Sequence, residues 1–287
     1  MKNKVFKIVS LLALPLMTLT GCYEEVVDEE QYQKEVYIVG AIDMVQTVEI
    51  KYSEEIQDTY IPVAVGGTRP TDRDITVTMT EQDEAIDYYN EKYIAESKTK
   101  YQKLESSLYS IPSPTVVLPA GATYARFPVQ VKTAELDCDL LYALTFKIAS
   151  VSEYAINKSD SVLILSFKLT NDYSGSYQMD ATKTEQVAGA KGTTLNMVRE
   201  LTAINQNTVR IFNQTAEEEA NRANSCFIIK VNSDNSLTIE KWANSTISQG
   251  GGTYDPETKV YEFWYDYTEN GKVFRVEGTL TYIPAVV

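Results

Sequence analysis

An aromatic run at residues 261–267 (Tyr-Glu-Phe-Trp-Tyr-Asp-Tyr) contains the side chains best suited to ligand chemistry. Alternate residues of a β-strand face opposite sides, so Trp264 shares one face with Glu262 and Asp266, while tyrosine and phenylalanine rings fill the other. We expect the all-aromatic face to be core. An exposed indole between two carboxylates suits a sugar ring, because the indole stacks on C–H groups while the acids accept hydrogen bonds from hydroxyls. The run therefore predicts an aromatic platform for a neutral glycan.

Trp242 is the second candidate. In residues 237–242 it lies on the side of Thr238 and Glu240, away from the apolar residues of the run. An alternative stays open for both tryptophans: one or both cover a seam between domains or the end of a barrel, since an isolated exposed aromatic side chain is costly. The predicted ligand-binding residues are Trp264, Trp242, Glu262 and Asp266.

The residue inventory argues against catalysis. The chain has no histidine, which removes the commonest general base, the Ser-His-Asp and Cys-His arrangements and most zinc sites. Pairs of carboxylates are frequent, but a chain with 40 acidic residues produces such pairs by chance. The sequence also contains no Walker motif and no EF-hand loop. We predict that the protein is not an enzyme and that it has no catalytic residue, no metal site and no cofactor.

The segment Leu19-Thr20-Gly21-Cys22 indicates where the protein works. It follows three lysines and an apolar run from Ile8 to Leu19, which is typical of a secretory signal and too short to span a bilayer. This order resembles the lipobox of bacterial lipoproteins, in which the Gly21–Cys22 bond is cut and Cys22 receives the lipid. The resemblance implies a signal peptide over residues 1–21 and lipid attachment at Cys22. The alternative is an ordinary signal peptide with an incidental cysteine.

Acidic residues follow this cysteine directly. Residues 23–30 (Tyr-Glu-Glu-Val-Val-Asp-Glu-Glu) have no core pattern, so residues 22–35 are predicted to form a solvated acidic tether. Acidic residues after a lipidated cysteine also resemble the surface-export signal of Bacteroidota lipoproteins. That resemblance implies a lipid-anchored protein of the outer membrane, exposed at the cell surface rather than in the periplasm.

The net charge of the chain limits the partners that we expect. The 287-residue chain has a formal net charge of −14, and loss of the signal lysines would make it more negative. Such a surface repels phosphate backbones, so nucleic acid is not expected as a partner. It also repels anionic lipid, so outer-membrane lipid is expected as a partner only through the Cys22 anchor.

Domains of about 100–150 residues are typical, so we expect two domains in a chain of this length.

Residues 36–170 are predicted to form the first domain. Short runs with apolar residues at alternate positions, separated by turn residues, indicate half-buried strands. About seven such strands suggest an immunoglobulin-like β-sandwich. Residues 83–108 break this pattern, because their apolar residues lie near helical spacing, and they predict a helical insertion.

A family resemblance appears in this domain. Residues 115–123 (Thr-Val-Val-Leu-Pro-Ala-Gly-Ala-Thr) lead into residues 125–131 (Ala-Arg-Phe-Pro-Val-Gln-Val). With the later segments 142–146 and 152–157, they resemble the domain at the N-terminus of Bacteroidota endo-β-N-acetylglucosaminidases and in many lipoproteins of their glycan-utilisation loci. In those enzymes a separate barrel carries catalysis, and this chain is too short to contain it. The Pro-Ala-Gly turn is a folding motif, since its glycine can take positive φ before the next strand.

Residues 171–287 are predicted to form the second domain, which is mainly β like the first. Residues 171–177 (Asn-Asp-Tyr-Ser-Gly-Ser-Tyr) are expected to be a polar hinge. Asp234-Asn235 and Glu269-Asn270-Gly271 are hairpin signals between apolar runs. Consecutive hairpins favour an antiparallel meander closed into a small, lipocalin-like barrel.

Two other segments of this domain support a structural prediction and a family resemblance. Gly250-Gly251-Gly252 precedes no helix start and is expected to be a flexible connection. Residues 254–259 (Tyr-Asp-Pro-Glu-Thr-Lys), together with residues 171–177, resemble a C-terminal module of unknown function that often follows the first domain in such lipoproteins.

Three functions remain open from the sequence. The first is a non-catalytic cell-surface lipoprotein that binds glycan for a polysaccharide or glycoprotein-glycan uptake system, with other surface proteins of that system as partners. The second is a structural or adhesive lipoprotein that docks other proteins through strand edges or its acidic face. The third is a glycoside hydrolase of unrecognised type, for which no catalytic module is apparent.

Overall fold

The computed structural model describes residues 29–213 and 221–284. The predicted signal peptide, Cys22 and the first part of the tether lie outside the described residues. Within the described ranges, no helix is both long enough and apolar enough to cross a membrane. The predictions of lipid attachment and outer-membrane location therefore stay predictions.

The N-terminal half is a sandwich of two facing sheets. Its strands are β1 (Glu35–Ile38), β2 (Val45–Lys51), β3 (Gln57–Gly66), β4 (Ile75–Glu81), β5 (Tyr101–Lys103), β6 (Tyr109–Ser110), β7 (Thr115–Leu118), β8 (Tyr124–Val131), β9 (Leu141–Val151), β10 (Ala155–Ile156) and β11 (Val162–Thr170). One sheet has the order β10-β1-β3-β8-β6, and the other has the order β2-β11-β9-β4-β7 with β5 paired to β9. Apolar side chains from both sheets form one buried cluster. The predicted β-sandwich is confirmed.

Strand β8 illustrates how alternation builds this sandwich. Its Phe127 is buried, whereas Tyr124 and Arg126 are exposed on the other face.

The turn before β8 contains Gly121 with a φ of +76°, and the Gly121 N–H donates to the Thr71 carbonyl at 2.9 Å. The positive φ predicted for this glycine is confirmed, and it fits because glycine pays no steric cost there.

The helical insertion is present but shorter than predicted. Helix α1 spans Glu84–Lys92, and the rest of the segment contains the short strands β5 and β6. Ala85 and Ile86 bury one face of α1 in a small cluster with the second sheet. The Tyr89 ring packs edge-on against the Tyr101 ring, with 5.7 Å between ring centroids. The segment leaves the helix after Lys92, and residues Tyr101–Lys103 pair with β9 as a strand instead.

The C-terminal half is a closed antiparallel barrel of eight strands. They are β12 (Gly175–Glu185), β13 (Thr193–Asn205), β14 (Thr208–Phe212), β15 (Cys226–Val231), β16 (Ser236–Lys241), β17 (Ile247–Asp255), β18 (Val260–Glu269) and β19 (Lys272–Tyr282). A short helix, α2 (Arg222–Ser225), precedes β15. Each strand pairs with the next, and β19 returns to pair with β12. The predicted meander closed into a small barrel is confirmed.

The three consecutive glycines are not a flexible connection, as was expected, because they lie within β17 and pair with β18. Gly252 has a φ of +148°, and a Cβ at this position would lie 1.9 Å from the Glu262 carbonyl oxygen. Only glycine allows the two backbones to approach so closely. The glycines therefore belong to the barrel wall, and Gly251, which pairs with the outward-facing Trp264, leaves part of the outer surface without a side chain.

The segment predicted as a polar hinge is tied to the barrel. Asn171 is buried, and its Nδ2 donates to the Asn205 carbonyl at 2.6 Å. Ala203 of the barrel also packs in the buried cluster of the sandwich. The two halves therefore share an apolar contact in addition to their covalent connection. The domain boundary between residues 170 and 171 stays a prediction.

Candidate functional site

Trp264 lies on the outer surface of the barrel. The other face of β18 is buried in the barrel core, and its members there are Tyr261, Phe263, Tyr265 and Tyr267. Trp264 itself is half-buried, with Glu262 exposed on the same face. The inside and outside faces predicted from alternation are therefore confirmed for this strand.

Three cross-strand rows surround this indole on β17, β18 and β19. The rows are Thr253–Glu262–Thr279, Gly251–Trp264–Glu277 and Gln249–Asp266–Arg275. Directly opposed residues of an antiparallel pair have Cβ atoms about 4.5–5.5 Å apart, so neighbours within a row can touch. We call these nine residues the Trp264 patch.

Asp266 is not the exposed acid that alternation predicted. Only 5% of the residue is exposed. Arg275 donates from Nε to Oδ1 at 2.8 Å and from Nη2 to Oδ2 at 2.9 Å, and Gln249 Nε2 donates to Oδ2 at 2.6 Å. The Arg275 guanidinium, with help from Gln249, holds the pKa of the Asp266 carboxyl below its usual value. The expectation of a free carboxylate here is wrong, because these partners cover it.

Arg275 also contacts the indole. Its Cζ lies 4.4 Å from the centroid of the Trp264 ring, which is within the range of a cation–π contact. The bidentate pair with Asp266 fixes the plane of the guanidinium. On β17, a Cβ added to Gly251 would lie 3.7 Å from the indole Nε1. Because residue 251 is glycine, no side chain at this position covers the nitrogen-bearing edge of the indole.

Two exposed carboxylates lie beside this ring. Glu262 is two residues before Trp264 on the same face of β18, and Glu277 is directly opposite Trp264 on β19. Both are exposed. Glu262 therefore lies on the face where the sequence placed it, and Glu277, rather than Asp266, is the second exposed carboxylate beside the indole.

Trp242 has different surroundings. The Cζ of Arg210 lies 5.1 Å from the centroid of the Trp242 ring. Arg210 is buried and pairs with Asp139 of the sandwich, and Arg222 pairs with the same carboxylate at 2.8 Å. Trp242 thus packs beside an ion-pair cluster that joins the two halves of the chain. This placement favours the seam interpretation for Trp242.

Arg275 and Glu277 were missed by the sequence reasoning, although a signal for them exists. The predicted Asn270-Gly271 hairpin has a two-residue turn, so counting outwards from it gives the register of β18 and β19. That count pairs Asp266 with Arg275 and Trp264 with Glu277, as the structure does. The sequence contains no such signal for the pairing of Gly251 with Trp264, because the connection between β17 and β18 is longer.

The Trp264 patch offers several groups that can contact a ligand, and its buried acid has no raised pKa. Glycosidases commonly need one carboxylic acid whose pKa is raised so that it can donate a proton. Asp266 has the opposite shift, because Arg275 stabilises its ionised form. Among residues 29–213 and 221–284, no group of three or more potential metal ligands lies together. The patch can stack on a ring, donate hydrogen bonds from Arg275 and accept them at Glu262 and Glu277.

Two family models match the chain. One, described as an N-terminal domain, matches residues 32–155, and the other, described as a C-terminal domain, matches residues 161–281. The first match covers most of the sandwich, and the second covers the last sandwich strand and the barrel. The arrangement of paired domains that the resemblance implied is confirmed.

Solved structures from Bacteroides share the whole fold. A protein of unknown function from Bacteroides ovatus has a TM-score of 0.64 at 18% identity, covering 86% of this chain and 94% of that chain. A multidomain protein including DUF1735 from the same species has a TM-score of 0.63 at 17% identity, covering 88% and 94%. An auxiliary nutrient binding protein from Bacteroides thetaiotaomicron has a TM-score of 0.59 at 14% identity, covering 83% and 90%. No curated protein matches the chain. At these identities the likeness shows the fold alone.

Proposed function

We propose that the chain, which matches N-terminal and C-terminal family models over residues 32–155 and 161–281, is a non-catalytic, glycan-binding lipoprotein of the outer-membrane surface. Its lipid anchor would be Cys22, followed by the acidic tether. Glycan bound outside the cell would be passed to other surface proteins of an uptake system. One protein of the same fold is named an auxiliary nutrient binding protein, which is in keeping with this role.

The observation that carries the proposal is the half-buried indole of Trp264 on the outer barrel surface, between two exposed carboxylates. A pyranose presents an apolar C–H face and a rim of hydroxyl groups. Stacking on an indole is worth about 0.5–1.5 kcal/mol beyond the area buried. Glu262 and Glu277 can accept hydroxyl hydrogen bonds at the edges of such a ring.

Arg275 contributes donors to the same site. Its pair with Asp266 uses two of the five guanidinium N–H groups. The remaining N–H groups can donate to sugar hydroxyls, because the Arg275 side chain is 34% exposed. Asp266 therefore acts as a positioning residue, and Arg275 and Trp264 are the proposed contact residues.

The proposal is tested by affinity electrophoresis of the full chain in gels that contain neutral polysaccharides. A retarded wild type and an unretarded Trp264→Ala variant would support it, provided that both unfold at the same temperature. Tyr88→Ala is the matched control, since Tyr88 is an exposed aromatic residue on the distant helix α1. Loss of retardation in both variants, or in neither, would contradict a site at Trp264.

The alternative is a structural or adhesive lipoprotein that docks other surface proteins. One observation favours it: among residues 29–213 and 221–284, the seven-residue strand β2 pairs on one side only, with β11, and so ends its sheet. This alternative predicts capture of a partner protein that is lost when a proline replaces Thr47 within β2, with no retention on any polysaccharide gel.

A further inference from the structure

A second candidate site lies at the surface of the sandwich, where residues of β2 and β3 come together. A groove of about 550 Å³ opens there, within the size range of small-ligand sites. We call it the Tyr60 groove, and its lining includes Val39, Val48, Tyr60, Pro62, Thr123 and Tyr124. Tyr60 and Tyr124 are 42% and 46% exposed, so two aromatic rings are available at one concave surface.

The register of β3 and β8 brings these rings together around one cation. Pro62 lies opposite Arg126, and Ala64 lies opposite Tyr124. The Arg126 Cζ lies 4.5 Å from the centroid of the Tyr60 ring and 5.8 Å from that of the Tyr124 ring. Two tyrosine faces therefore hold the guanidinium at the border of the groove.

Arg126 differs from most arginines of this chain. Arg73, Arg210 and Arg275 each pair with a carboxylate. No such ion pair joins Arg126 to an acid among the described residues, and its one hydrogen bond there is a long one, from Nη2 to the Tyr124 hydroxyl at 3.4 Å. An exposed cation that lacks an acidic partner, in a chain with a net charge of −14, has most of its donors open to an external anion.

The groove also carries groups that suit sugar hydroxyls. Thr59, Thr123 and Glu49 line it beside the aromatic rings. A hydrocarbon ligand would leave these polar groups without hydrogen bonds, at a cost in affinity. A saccharide with a carboxylate suits the tyrosine rings, the polar lining and the Arg126 guanidinium together. Its ring can stack on tyrosine and its hydroxyls can bond to the polar lining, while its carboxylate can accept two parallel hydrogen bonds from the guanidinium.

We propose that the Tyr60 groove binds an acidic saccharide, a hexuronate unit of a polysaccharide, with its carboxylate on Arg126 and its ring against Tyr60 or Tyr124. The site is separate from the Trp264 patch, so either one can fail without the other. It would give the protein a contact to uronate-containing chains in addition to the neutral glycan proposed above.

The test uses isothermal titration of the full chain with trigalacturonate, with trimannuronate, and with each trisaccharide after reduction of its carboxyl groups. The wild type should bind the acidic form and bind the reduced form at least tenfold more weakly. Arg126→Gln should weaken binding of the acidic form tenfold or more, because a charge-assisted bidentate contact is lost. Tyr60→Ala should weaken it about threefold to tenfold.

Arg73→Gln is the matched control, since Arg73 is an exposed arginine that already pairs with Asp72 and Glu153. It should bind the acidic trisaccharide as the wild type does. The proposal is overturned if neither trigalacturonate nor trimannuronate binds, or if Arg126→Gln and Arg73→Gln lose binding equally. It is also overturned if Trp264→Ala, but not Arg126→Gln, abolishes the binding, or if an Arg126-dependent site takes a glutamate-rich peptide and no uronate.

Discussion

The guanidinium carbon of Arg275 lies 4.4 Å from the centre of the Trp264 ring, and the same guanidinium makes a bidentate pair with the nearly buried Asp266. An aromatic residue, a cation and an anion thus form one unit on the outer barrel surface. The acid fixes the cation, and the cation packs on the indole. The proposed glycan contact therefore depends on a carboxylate that does not itself reach the ligand.

The first prediction concerns Asp266→Asn. The pKa of Asp266 is lowered in the folded protein, so its carboxylate stabilises the fold above its unfolded pKa of about 3.9, and this contribution is lost as pH falls through the folded pKa. Asp266→Asn should cost about 1–3 kcal/mol at neutral pH, from weakened charge-assisted bonds. The difference from wild type should narrow below about pH 4. Urea unfolding at neutral pH and at pH 3 measures the cost of the substitution and its decrease at low pH.

The control for this prediction is Asp58→Asn, because Asp58 is exposed and accepts one bond from Gln130 at 2.9 Å. It should change the free energy of unfolding by no more than about 0.5 kcal/mol. If Asp266→Asn loses the same free energy at neutral pH and at pH 3, its effect is steric and the electrostatic account is wrong.

The second prediction uses the glycines of β17. A Cβ at Gly251 would make only ordinary contacts, at 3.6 Å to the Leu237 carbonyl oxygen and 3.7 Å to the indole Nε1. Gly251→Leu should therefore fold normally but cover the edge of Trp264, and retention on a neutral polysaccharide gel should fall. Gly252→Leu should instead lower the thermal midpoint, because its Cβ would lie 1.9 Å from a backbone oxygen. Unchanged retention in Gly251→Leu would remove this edge from the site.

Local patterns were enough to predict the parts of the barrel that depend on neighbouring residues. Alternation in β18 separated the core tyrosines from Trp264, and the Asn270-Gly271 turn determines the register that brings Arg275 to Asp266. The error at Asp266 arose because alternation gives the face of a side chain but not its partners. Burial of an outward-facing carboxylate requires a matched cation on the next strand.

The Tyr60 groove could not be predicted in this way. Tyr60 pairs with Pro128 across 68 residues of sequence, and no short turn sets that register. The groove also takes Val48 and Glu49 from β2, a strand of the other sheet. Non-local pairing of this kind depends on the packing of the whole sandwich, so it cannot be predicted from the spacing of residues along the chain.

The third prediction tests the location. Cys22→Ala should abolish incorporation of labelled fatty acid and release the protein from the membrane fraction, because no other membrane attachment is expected for so acidic a surface. Protease added to whole cells should degrade the wild-type protein. Protection in intact cells, combined with normal lipid labelling, would place the protein on the periplasmic face of the membrane.

The fourth prediction concerns a fragment of residues 36–170. The sandwich has its own buried cluster, so the fragment should unfold cooperatively. It should nevertheless be less stable than the sandwich within the full chain, because Ala203 of the barrel and the pair between Lys168 and Glu200 are missing. Urea unfolding followed by tyrosine fluorescence would measure the difference. A fragment as stable as the full chain would show that the seam contributes nothing.

The fifth prediction addresses the seam directly. Arg210 is 5% exposed, and burial lowers the pKa of its guanidinium, so its charge depends on a nearby acid. Asp139→Ala removes that acid and should cost about 2–4 kcal/mol of unfolding free energy. Asp43→Ala, at an exposed position, should cost less than about 0.5 kcal/mol.

A double variant separates the charge from the packing at this seam. Replacing both Asp139 and Arg210 by apolar residues removes the buried guanidinium of Arg210 together with its acid, although Arg222 still loses its contact with Asp139. Asp139→Leu with Arg210→Met should therefore recover part of the loss seen in Asp139→Ala. Trp242 contacts Arg210, and Trp242→Ala should lower stability while retention on a neutral glycan stays unchanged. If Trp242→Ala instead loses retention at full stability, Trp242 is a ligand residue and its assignment to the seam is wrong.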